Sequence, residues 1–208
     1  MIYLLSIAAV LICYLCGSIP VGYVVARLYG VDVTASGSGR TGGTNVLRAA
    51  GPVAAAVTVL GDMLKSLIPV YFFSFICSPL VISVAAAAAV VGHNNSIFLG
   101  FRGGVGAGTA LGALAGLSFP VCLIAGFSGL AALIVTRYAS VLSATIAVLA
   151  LITLIVFAAL GYTPYGYILF GVLNLAIMFY ALRPNFARLR AGTERKVGQK
   201  TENIARIS

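Results

Sequence analysis

A glycine-rich stretch between two apolar segments carries the residue types that bind phosphate. It reads G-S-G-R-T-G-G-T-N-V-L-R over residues 37–48. Glycines let successive backbone N–H groups form a concave anion site, hydroxyl and amide groups add hydrogen bonds, and a guanidinium binds phosphate oxygens in bidentate fashion. The stretch is not a Walker A loop, because it lacks the closing G-K-[ST] and follows no predicted strand. We predict a phosphate site, the alternative being an ordinary glycine-rich turn between helices.

A second stretch, over residues 92–109, has the same composition and reads G-H-N-N-S-I-F-L-G-F-R-G-G-V-G-A-G-T. Its histidine, His93, is either a general base near neutral pH or a structurally satisfied histidine at a helix end, and both interpretations stay open. Two arginines and an amide, Arg183, Asn185 and Arg188, follow the last apolar segment. Because all three regions offer anion-binding groups, we expect them to form one shared site.

The composition of the chain as a whole is that of a membrane protein. It has 208 residues, of which 61% are hydrophobic and only 8% charged, well above the apolar content of a soluble domain. The net charge of +9 does not indicate a nucleic-acid partner, because 7 of the 13 basic residues lie from Arg183 onward, beside the last apolar segment. Such clusters contact anionic headgroups. We predict one transmembrane domain over residues 1–190 and a basic cytoplasmic tail over residues 191–208.

Apolar runs long enough to cross a bilayer predict an all-α polytopic fold with about seven short transmembrane helices and glycine-rich cytoplasmic loops. The predicted spans are 2–26, 53–76, 79–97, 105–118, 120–136, 139–160 and 163–182. Residues 105–136 are divided in two, because one helix of that length would reach roughly 48 Å. With seven spans, the arginine-bearing connections and the tail share one side, which the positive-inside rule makes cytoplasmic. The connections near 77–79, 118–120 and 161–164 carry no charge.

Two charged residues, Asp62 and Lys65, lie inside the second apolar run. Their i, i+3 spacing places them on one helix face, where they can pair. Ionised groups within a span are costly and usually functional. The pair could also be a structural one that holds the helix to the loops, and both interpretations remain open. The four cysteines lie in or at the ends of apolar segments and are interpreted as packing residues rather than metal or redox groups.

An ordered set of motifs gives the chain a family resemblance. The motifs are G-S-I-P-V-G at 17–22, the stretch at 37–48, D-x-x-K at 62–65, G-H at 92–93, F-R-G-G-x-G at 101–106, R-Y-x-S-x-x-S at 137–143 and R-x-N at 183–185. From about Gly17 to Glu194 the chain resembles the bacterial acyl-phosphate-dependent glycerol-3-phosphate acyltransferases. The resemblance implies a multi-pass enzyme of the bacterial inner membrane with its site facing the cytoplasm. It would transfer a fatty acyl group from acyl phosphate to glycerol 3-phosphate, giving lysophosphatidic acid for phospholipid synthesis. The enzyme would need no metal or other cofactor, no nucleic acid and no partner subunit. It would act as a monomer surrounded by membrane lipids.

The resemblance also implies roles for particular residues. The catalytic group would be Ser38, Arg48, Ser143 and Asn185. Substrate-binding positions implied by the resemblance are Asn45, Gly103, Gly104, Gly106 and Arg183. The residue types and positions add Arg40, Thr44, Lys65, His93 and Arg102 as further substrate-binding candidates. Ser38 and Arg48 would hold the glycerol phosphate, and a phosphate oxygen of the substrate would take the hydroxyl proton, so no protein nucleophile is required.

The chain departs from the family pattern at three polar positions. The pattern has Asn where Arg40 stands, Lys where Val105 stands and His where Leu182 stands, and Arg40 is a candidate replacement cation. These departures leave open a homologue that binds phospholipid precursors without turnover. A second alternative is a small transporter of a phosphorylated solute, which would use the same anion-binding loops.

Overall fold

The fold is a bundle of nine α-helices in the part of the chain that the computed structural model describes, residues 2–199 and 204–206. The helices are α1 (Ile2–Ser18), α2 (Val21–Leu28), α3 (Gly43–Ala50), α4 (Pro52–Ser74), α5 (Pro79–Asn94), α6 (Ala107–Leu117), α7 (Phe119–Thr136), α8 (Ala139–Ala159) and α9 (Tyr167–Arg190). A single 3₁₀ turn, Ile97–Leu99, lies between α5 and α6. The all-α membrane architecture expected from the sequence is confirmed.

Five segments of these helices are long and apolar enough to cross a bilayer: Tyr3–Leu28, Pro52–Ser74, Phe119–Thr136, Ala139–Ala159 and Tyr167–Arg190. Helices α5 and α6 are apolar but shorter. The 11 residues of α6 extend only about 16 Å, so this helix can cross only where the hydrocarbon layer is thin. The count of seven crossings therefore stays a prediction.

The predicted first span, 2–26, is interrupted between α1 and α2. Pro20 has no backbone N–H to continue the helical ladder, and at the break the Ile19 oxygen accepts the Val21 N–H at 3.0 Å. Lys65 Nζ donates to the Ile19 oxygen at 2.9 Å and Ser96 Oγ donates to the Ser18 oxygen at 2.5 Å. These buried donors replace the helical hydrogen bonds that lipid cannot supply.

Small residues set the distance between the central helices. Helix α5 packs against α1, and α4 packs against α6. A Cβ on Gly17 would lie 2.1 Å from the Ala89 oxygen, and one on Gly112 would lie 2.0 Å from the Met63 oxygen. Backbones in contact at these points gain packing energy that lipid-facing helices cannot obtain from the hydrophobic effect.

The charged connections meet at one end of the bundle, here called the charged face. It comprises residues 29–42, 95–106 and 137–138 and the described part of the tail, 191–199 and 204–206. Backbone hydrogen bonds join the tail to two of these connections, from Val197 N to Arg137 O at 2.7 Å and from Asp32 N to Ala205 O at 2.9 Å. At the other end, Ser83 Oγ donates to Gly166 O at 2.9 Å.

Helix α9 is longer than the predicted span 163–182, because it continues to Arg190 through Pro184. Residues 183–190 are therefore helical rather than part of a loose tail. Their side chains point in directions fixed by the helical repeat, which decides which of them reach the site described next.

Candidate active site

A cavity of about 690 Å³ opens at the charged face and extends between α4, α6, α7 and α8. Its polar wall comes from the 37–48 stretch, from α9 and from the tail. The deeper wall is apolar and includes Leu60, Leu111, Leu130, Leu133 and Ile146. The cavity thus offers a charged entrance to a water-borne group and an apolar interior to a hydrocarbon chain.

Asn45 holds the 37–48 stretch in shape. Its side chain is buried, and Nδ2 lies within 3.1 Å of the carbonyl oxygens of Val33, Ser36 and Arg40. Its Oδ1 accepts a hydrogen bond from the Ser38 N–H at 3.1 Å. These bonds tie the loop that runs from Val33 to Arg40 onto the start of α3, beside Ser38 and Thr44, which line the cavity.

Arg40 connects this stretch to α9. Its Nη1 donates to Asn185 Oδ1 at 3.0 Å, and its Nη2 donates to the Ala181 oxygen at 2.7 Å. Burial, followed by the nearby charge of Arg188, lowers the pKa of the Arg40 guanidinium, which still remains a cation at neutral pH. A fixed positive charge therefore lies beside Leu182, where the family pattern has a histidine.

Arg48 faces the cavity from the third helix, with guanidinium N–H groups to spare. Nη2 lies 3.2 and 3.3 Å from the backbone oxygens of Arg195 and Lys196, while Nε is buried without a hydrogen-bond partner among the described residues. Burial lowers the pKa of this guanidinium as well. Spare donors on a half-buried cation suit an anionic ligand.

The tail folds back over the entrance through Glu194. Its carboxylate accepts from Asn185 Nδ2 at 2.7 Å and pairs with Arg188 Nε at 2.6 Å. Glu194, Arg195 and Val197 line the cavity. The segment beyond α9 is thus part of the site wall.

Three helices begin at the cavity. Gly43 and Thr44 of α3, Ala107 and Gly108 of α6, and Ala139 and Ser140 of α8 all line it. None of these three N-termini has a side-chain cap among the described residues. The first N–H groups of a helix lack partners within it and carry partial positive charge, so each N-terminus favours an anion.

His93 lies in a buried network at the base of the polar wall. Its Nδ1 is 3.0 Å from Lys65 Nζ and 3.4 Å from Asp62 Oδ1, and these two charged atoms are 2.7 Å apart. The predicted pairing of Asp62 with Lys65 is confirmed. Lys65 also donates to the α1–α2 break, so its ammonium holds helices together and does not line the cavity.

Glycines at 104 and 106 bring bare backbone to the cavity. A Cβ on Gly104 would lie 2.2 Å from His93 Nε2, so the imidazole packs directly on the chain there. Gly106 has a φ of +95°, a conformation that glycine adopts without strain. Val105, where the family pattern has a lysine, also lines the cavity and supplies no charge.

The structure brings together most of the predicted site residues. Those that line the cavity are Ser38, Arg40, Thr44, Asn45, Arg48, His93, Gly104, Gly106, Ser143 and Asn185. Those that do not line it are Lys65, Arg102, Gly103 and Arg183. Arg102 and Arg183 are exposed, and Arg183 lies over the ring of Tyr180, with 4.3 Å between Cζ and the ring centroid. A Cβ on Gly103 would lie 2.0 Å from the His93 oxygen, so this glycine permits a backbone contact.

Sequence reasoning did not assign site roles to three cavity residues, Ser140, Glu194 and Arg195, and it expected Arg188 in the shared anion site without giving it a role of its own. A signal for Arg188 existed, since it follows Asn185 by three residues and would share its face if the helix continued. Glu194 lies in the segment interpreted as a basic tail, where nothing marked a single carboxylate as part of the site.

Comparison with known proteins identifies similar chains over nearly the whole length. The family model described as glycerol-3-phosphate acyltransferase matches residues 7–192. Glycerol-3-phosphate acyltransferase 2 of Moorella thermoacetica is 41% identical over 195 residues, which cover 93% of this chain and 98% of that protein. The glycerol-3-phosphate acyltransferase of Rubrobacter xylanophilus is 40% identical over 204 residues, covering 95% and 98%.

Two solved structures have the same fold. They are crystal structures of PlsY, an integral membrane glycerol 3-phosphate acyltransferase, in its glycerol 3-phosphate form and its lysophosphatidic acid form. The first superposes with a TM-score of 0.84 at 33% identity, covering 93% of this chain and 96% of that one. The second gives 0.82 at 33% identity, covering 92% and 94%.

Proposed function

Because the chain belongs to the glycerol-3-phosphate acyltransferase family, we propose that it transfers a fatty acyl group from acyl phosphate to glycerol 3-phosphate, forming lysophosphatidic acid. Family membership favours an enzyme over a non-catalytic homologue or a solute transporter. The proposal adds three points to family membership: the acyl donor, the roles of the site residues and the orientation of the protein in the membrane.

The cavity carries the proposal, because it joins a polar wall that contains arginines to an apolar wall. Arg40, Arg48 and three helix N-termini surround its polar part, and leucine side chains line its interior. Two phosphorylated substrates need two anion sites close together, and only one of the two carries a hydrocarbon chain. A channel for a phosphorylated solute would instead need polar groups along its whole length.

Glycerol 3-phosphate would bind at the polar wall near the entrance. Arg48 offers a free Nε–H, Ser38 a hydroxyl, and Arg40 a guanidinium already oriented by Asn185 and the Ala181 carbonyl. Arg40 would supply the positive charge that Val105 does not. We assign Arg48 and Ser38 to the acceptor phosphate and Asn185 to the positioning of Arg40.

The reaction needs no protein nucleophile. The 1-hydroxyl oxygen of glycerol 3-phosphate attacks the acyl carbon, the bond from that carbon to the phosphate oxygen breaks, and the departing phosphate takes the hydroxyl proton. The backbone N–H groups at the starts of α3 and α6 would stabilise the oxyanion formed on the acyl carbonyl, an effect commonly worth about 3 kcal/mol per donor. His93 would position Gly104 and the start of α6.

We place this enzyme as a monomer in the bacterial inner membrane, with the charged face toward the cytoplasm. The positive-inside rule supports this orientation, since the basic residues of the tail and the connections gather on that face. Glycerol 3-phosphate is water-borne and anionic, so a cytoplasmic entrance lined by arginines would admit it directly, while the acyl phosphate would enter from the bilayer.

Purified protein in detergent, supplied with palmitoyl phosphate and labelled glycerol 3-phosphate, tests the proposal. We expect lysophosphatidate and inorganic phosphate in equal amounts. Arg48→Ala should lower kcat/KM about 100-fold, which corresponds to about 3 kcal/mol of transition-state stabilisation. Arg190→Ala is the matched control, because Arg190 is exposed and outside the cavity lining. Equal activity of the Arg48 variant and wild type would refute the assigned site, and no product from wild type would refute the donor.

A further inference from the structure

The segment that follows α9 contacts a cation of the proposed acceptor site. Residues 193–197, here called the strap, contribute to the wall of the cavity entrance. Arg48 Nη2 lies 3.2 Å from the Arg195 oxygen and 3.3 Å from the Lys196 oxygen. Phosphate oxygens bind a guanidinium through the same N–H groups, so these two carbonyls compete with a phosphate for Arg48 Nη2. The family model ends at residue 192, so the strap lies outside the region that it matches.

The strap also places a negative charge in the cavity wall. Glu194 lines the cavity, and its side chain is 8% exposed. Its carboxylate pairs with Arg188 Nε at 2.6 Å and accepts from Asn185 Nδ2 at 2.7 Å, and the same Asn185 orients Arg40. A carboxylate at this point repels a second anion and offsets the positive charge that would attract it. The position of the strap therefore opposes entry of a phosphorylated acceptor.

Contacts with the turn before α8 hold the strap in this position. Val197 N donates to the Arg137 oxygen at 2.7 Å, and Arg137 Nη2 donates to the Val197 oxygen at 3.4 Å. Lys196 Nζ lies 5.7 Å from the centre of the Tyr138 ring. Arg137 and Lys196 are exposed, and Tyr138 and Val197 are half-buried. Such contacts open at low cost, so the strap can leave the entrance while the helix bundle stays folded.

Glycines with a positive φ flank the strap. Gly192 has a φ of +69° and Gly198 a φ of +92°. A Cβ on Gly192 would meet no atom within 4 Å, so the backbone conformation alone favours glycine there. Hinges are commonly a few positions at the end of an element that absorb a change in backbone angles, and Gly192 follows the end of α9 at Arg190. Gly192 is therefore placed to act as a hinge.

We propose that the strap is an autoinhibitory lid. When closed, it occupies Arg48 Nη2 and places Glu194 at the entrance, and glycerol 3-phosphate binds only after it opens. The inference rests on the proposed acyl transfer, in which Arg48 binds the acceptor phosphate. The apparent affinity for the acceptor is then the intrinsic affinity reduced by the fraction of molecules whose strap is open.

Gly192→Ala tests the proposal by straining the closed strap without changing a cavity residue. An alanine at a φ of +69° is unfavourable, so the closed form loses stability relative to the open form. We expect the apparent KM for glycerol 3-phosphate to fall about 5-fold and the KM for palmitoyl phosphate to stay within about 2-fold.

Gly161→Ala is the matched control for Gly192→Ala. Gly161 follows α8 at the uncharged end, has a φ of +77°, and a Cβ there would also meet no atom within 4 Å. Its substitution carries the same backbone strain far from the strap, so both KM values should stay within about 2-fold of wild type. An unchanged or higher acceptor KM for Gly192→Ala would overturn the proposal.

Trypsin measures the movement of the strap without turnover. In the closed strap, the Lys196 oxygen contacts Arg48 and the Val197 N–H is bonded to Arg137, so the peptide bond between them is held on both sides. Cleavage of such a bond follows the population in which the segment is open. We expect glycerol 3-phosphate to raise the initial rate of cleavage after Lys196 at least about 3-fold, measured by mass spectrometry on wild type in detergent. Glycerol at the same concentration should leave the rate unchanged.

The cleavage experiment keeps this inference separate from the proposed reaction. Faster cleavage with glycerol 3-phosphate supports the lid even if wild type turns out not to use palmitoyl phosphate. Unchanged cleavage would refute the lid even if wild type is active. Slower cleavage would also refute it, because the strap would then close over the bound acceptor. A melting temperature measured in parallel verifies that Gly192→Ala is folded.

Discussion

Arg40 and Asn185 are 145 residues apart in the chain, yet the guanidinium donates to the amide oxygen at 3.0 Å. The sequence marked Arg40 as a candidate replacement for a missing cation, because it lies in the 37–48 stretch two residues from Ser38. It could not show that Arg40 reaches α9, since the distance depends on how the stretch folds over the helix. Leu182 and Val105 take apolar places in the same cavity.

Arg40→Ala should therefore reduce activity, whereas Arg183→Ala should not. We expect kcat/KM to fall at least 10-fold for Arg40→Ala, through loss of a charge-assisted contact to phosphate. Arg183→Ala should remain within about 2-fold of wild type, because Arg183 is exposed and lies over Tyr180. Steady-state kinetics with glycerol 3-phosphate as the varied substrate gives both values. The reverse order of effects would mean that the acceptor binds outside this cavity.

The position of each residue around α9 explains why Arg188 lines the cavity and Arg183 does not. Leu182, Asn185 and Arg188 line the cavity at i, i+3 and i+6 of α9, and Arg183 projects from another face. The sequence prediction ended the last span at 182 and left residues 183–188 without a direction. Hydropathy falls where the arginines begin, but the helix continues, and its last turns contact the tail, as in the pairing of Arg188 with Glu194.

Close helix contact in α6 predicts a stability difference between two glycines. A Cβ on Gly112 would lie 2.0 Å from the Met63 backbone oxygen, so Gly112→Ala must push α4 and α6 apart. We expect Gly112→Ala to lower the free energy of unfolding by about 2–3 kcal/mol and the melting temperature by about 5–10 °C. The matched Gly126→Ala, whose Cβ has ordinary contact distances, should stay within about 2 °C. Thermal unfolding in detergent measures both, and equal melting temperatures would mean that α4 and α6 can separate freely.

The whole molecule presents its charged connections at one end. Contacts from Arg48 to the Arg195 oxygen and from Val197 to Arg137 join the 37–48 stretch, the tail and the turn before α8. The predicted one-sided charge thus corresponds to a physical face that contains the cavity entrance. The tail was expected only to lie against lipid headgroups, and part of it forms the site wall.

Membrane orientation is testable with single cysteines in a chain whose native cysteines are replaced by alanine. Tyr165→Cys and Phe119→Cys lie at the uncharged end, and Ala191→Cys lies on the charged face; all three positions are exposed. An impermeant maleimide should label the first two on intact spheroplasts and the third only after lysis. Labelling at 119 requires that both the short helix α6 and the longer helix α7 cross, because Phe119 lies where they meet. Labelling at 191 without lysis, or protection at 119, would contradict the seven-crossing topology.

The sequence by itself indicated an all-helical membrane protein, the family to which it belongs and the gathering of its charged connections at one end. Apolar runs specify helices in lipid because backbone groups there must be satisfied internally. Glycines, hydroxyls and arginines close together in the chain, as in the stretch at 37–48, predict an anion site. These properties follow from composition and from short spacings in the chain, so they can be predicted without knowledge of the packing.

Tertiary structure alone decided which groups meet. It assigned Lys65 to the α1–α2 break, placed Glu194 between Asn185 and Arg188, and put Arg48 Nε where none of the described residues bonds to it. Each outcome depends on helix ends and rotations that are fixed by contacts between distant backbones. A shift of one residue turns a side chain about 100° around its helix, so local sequence cannot specify the direction that packing selects.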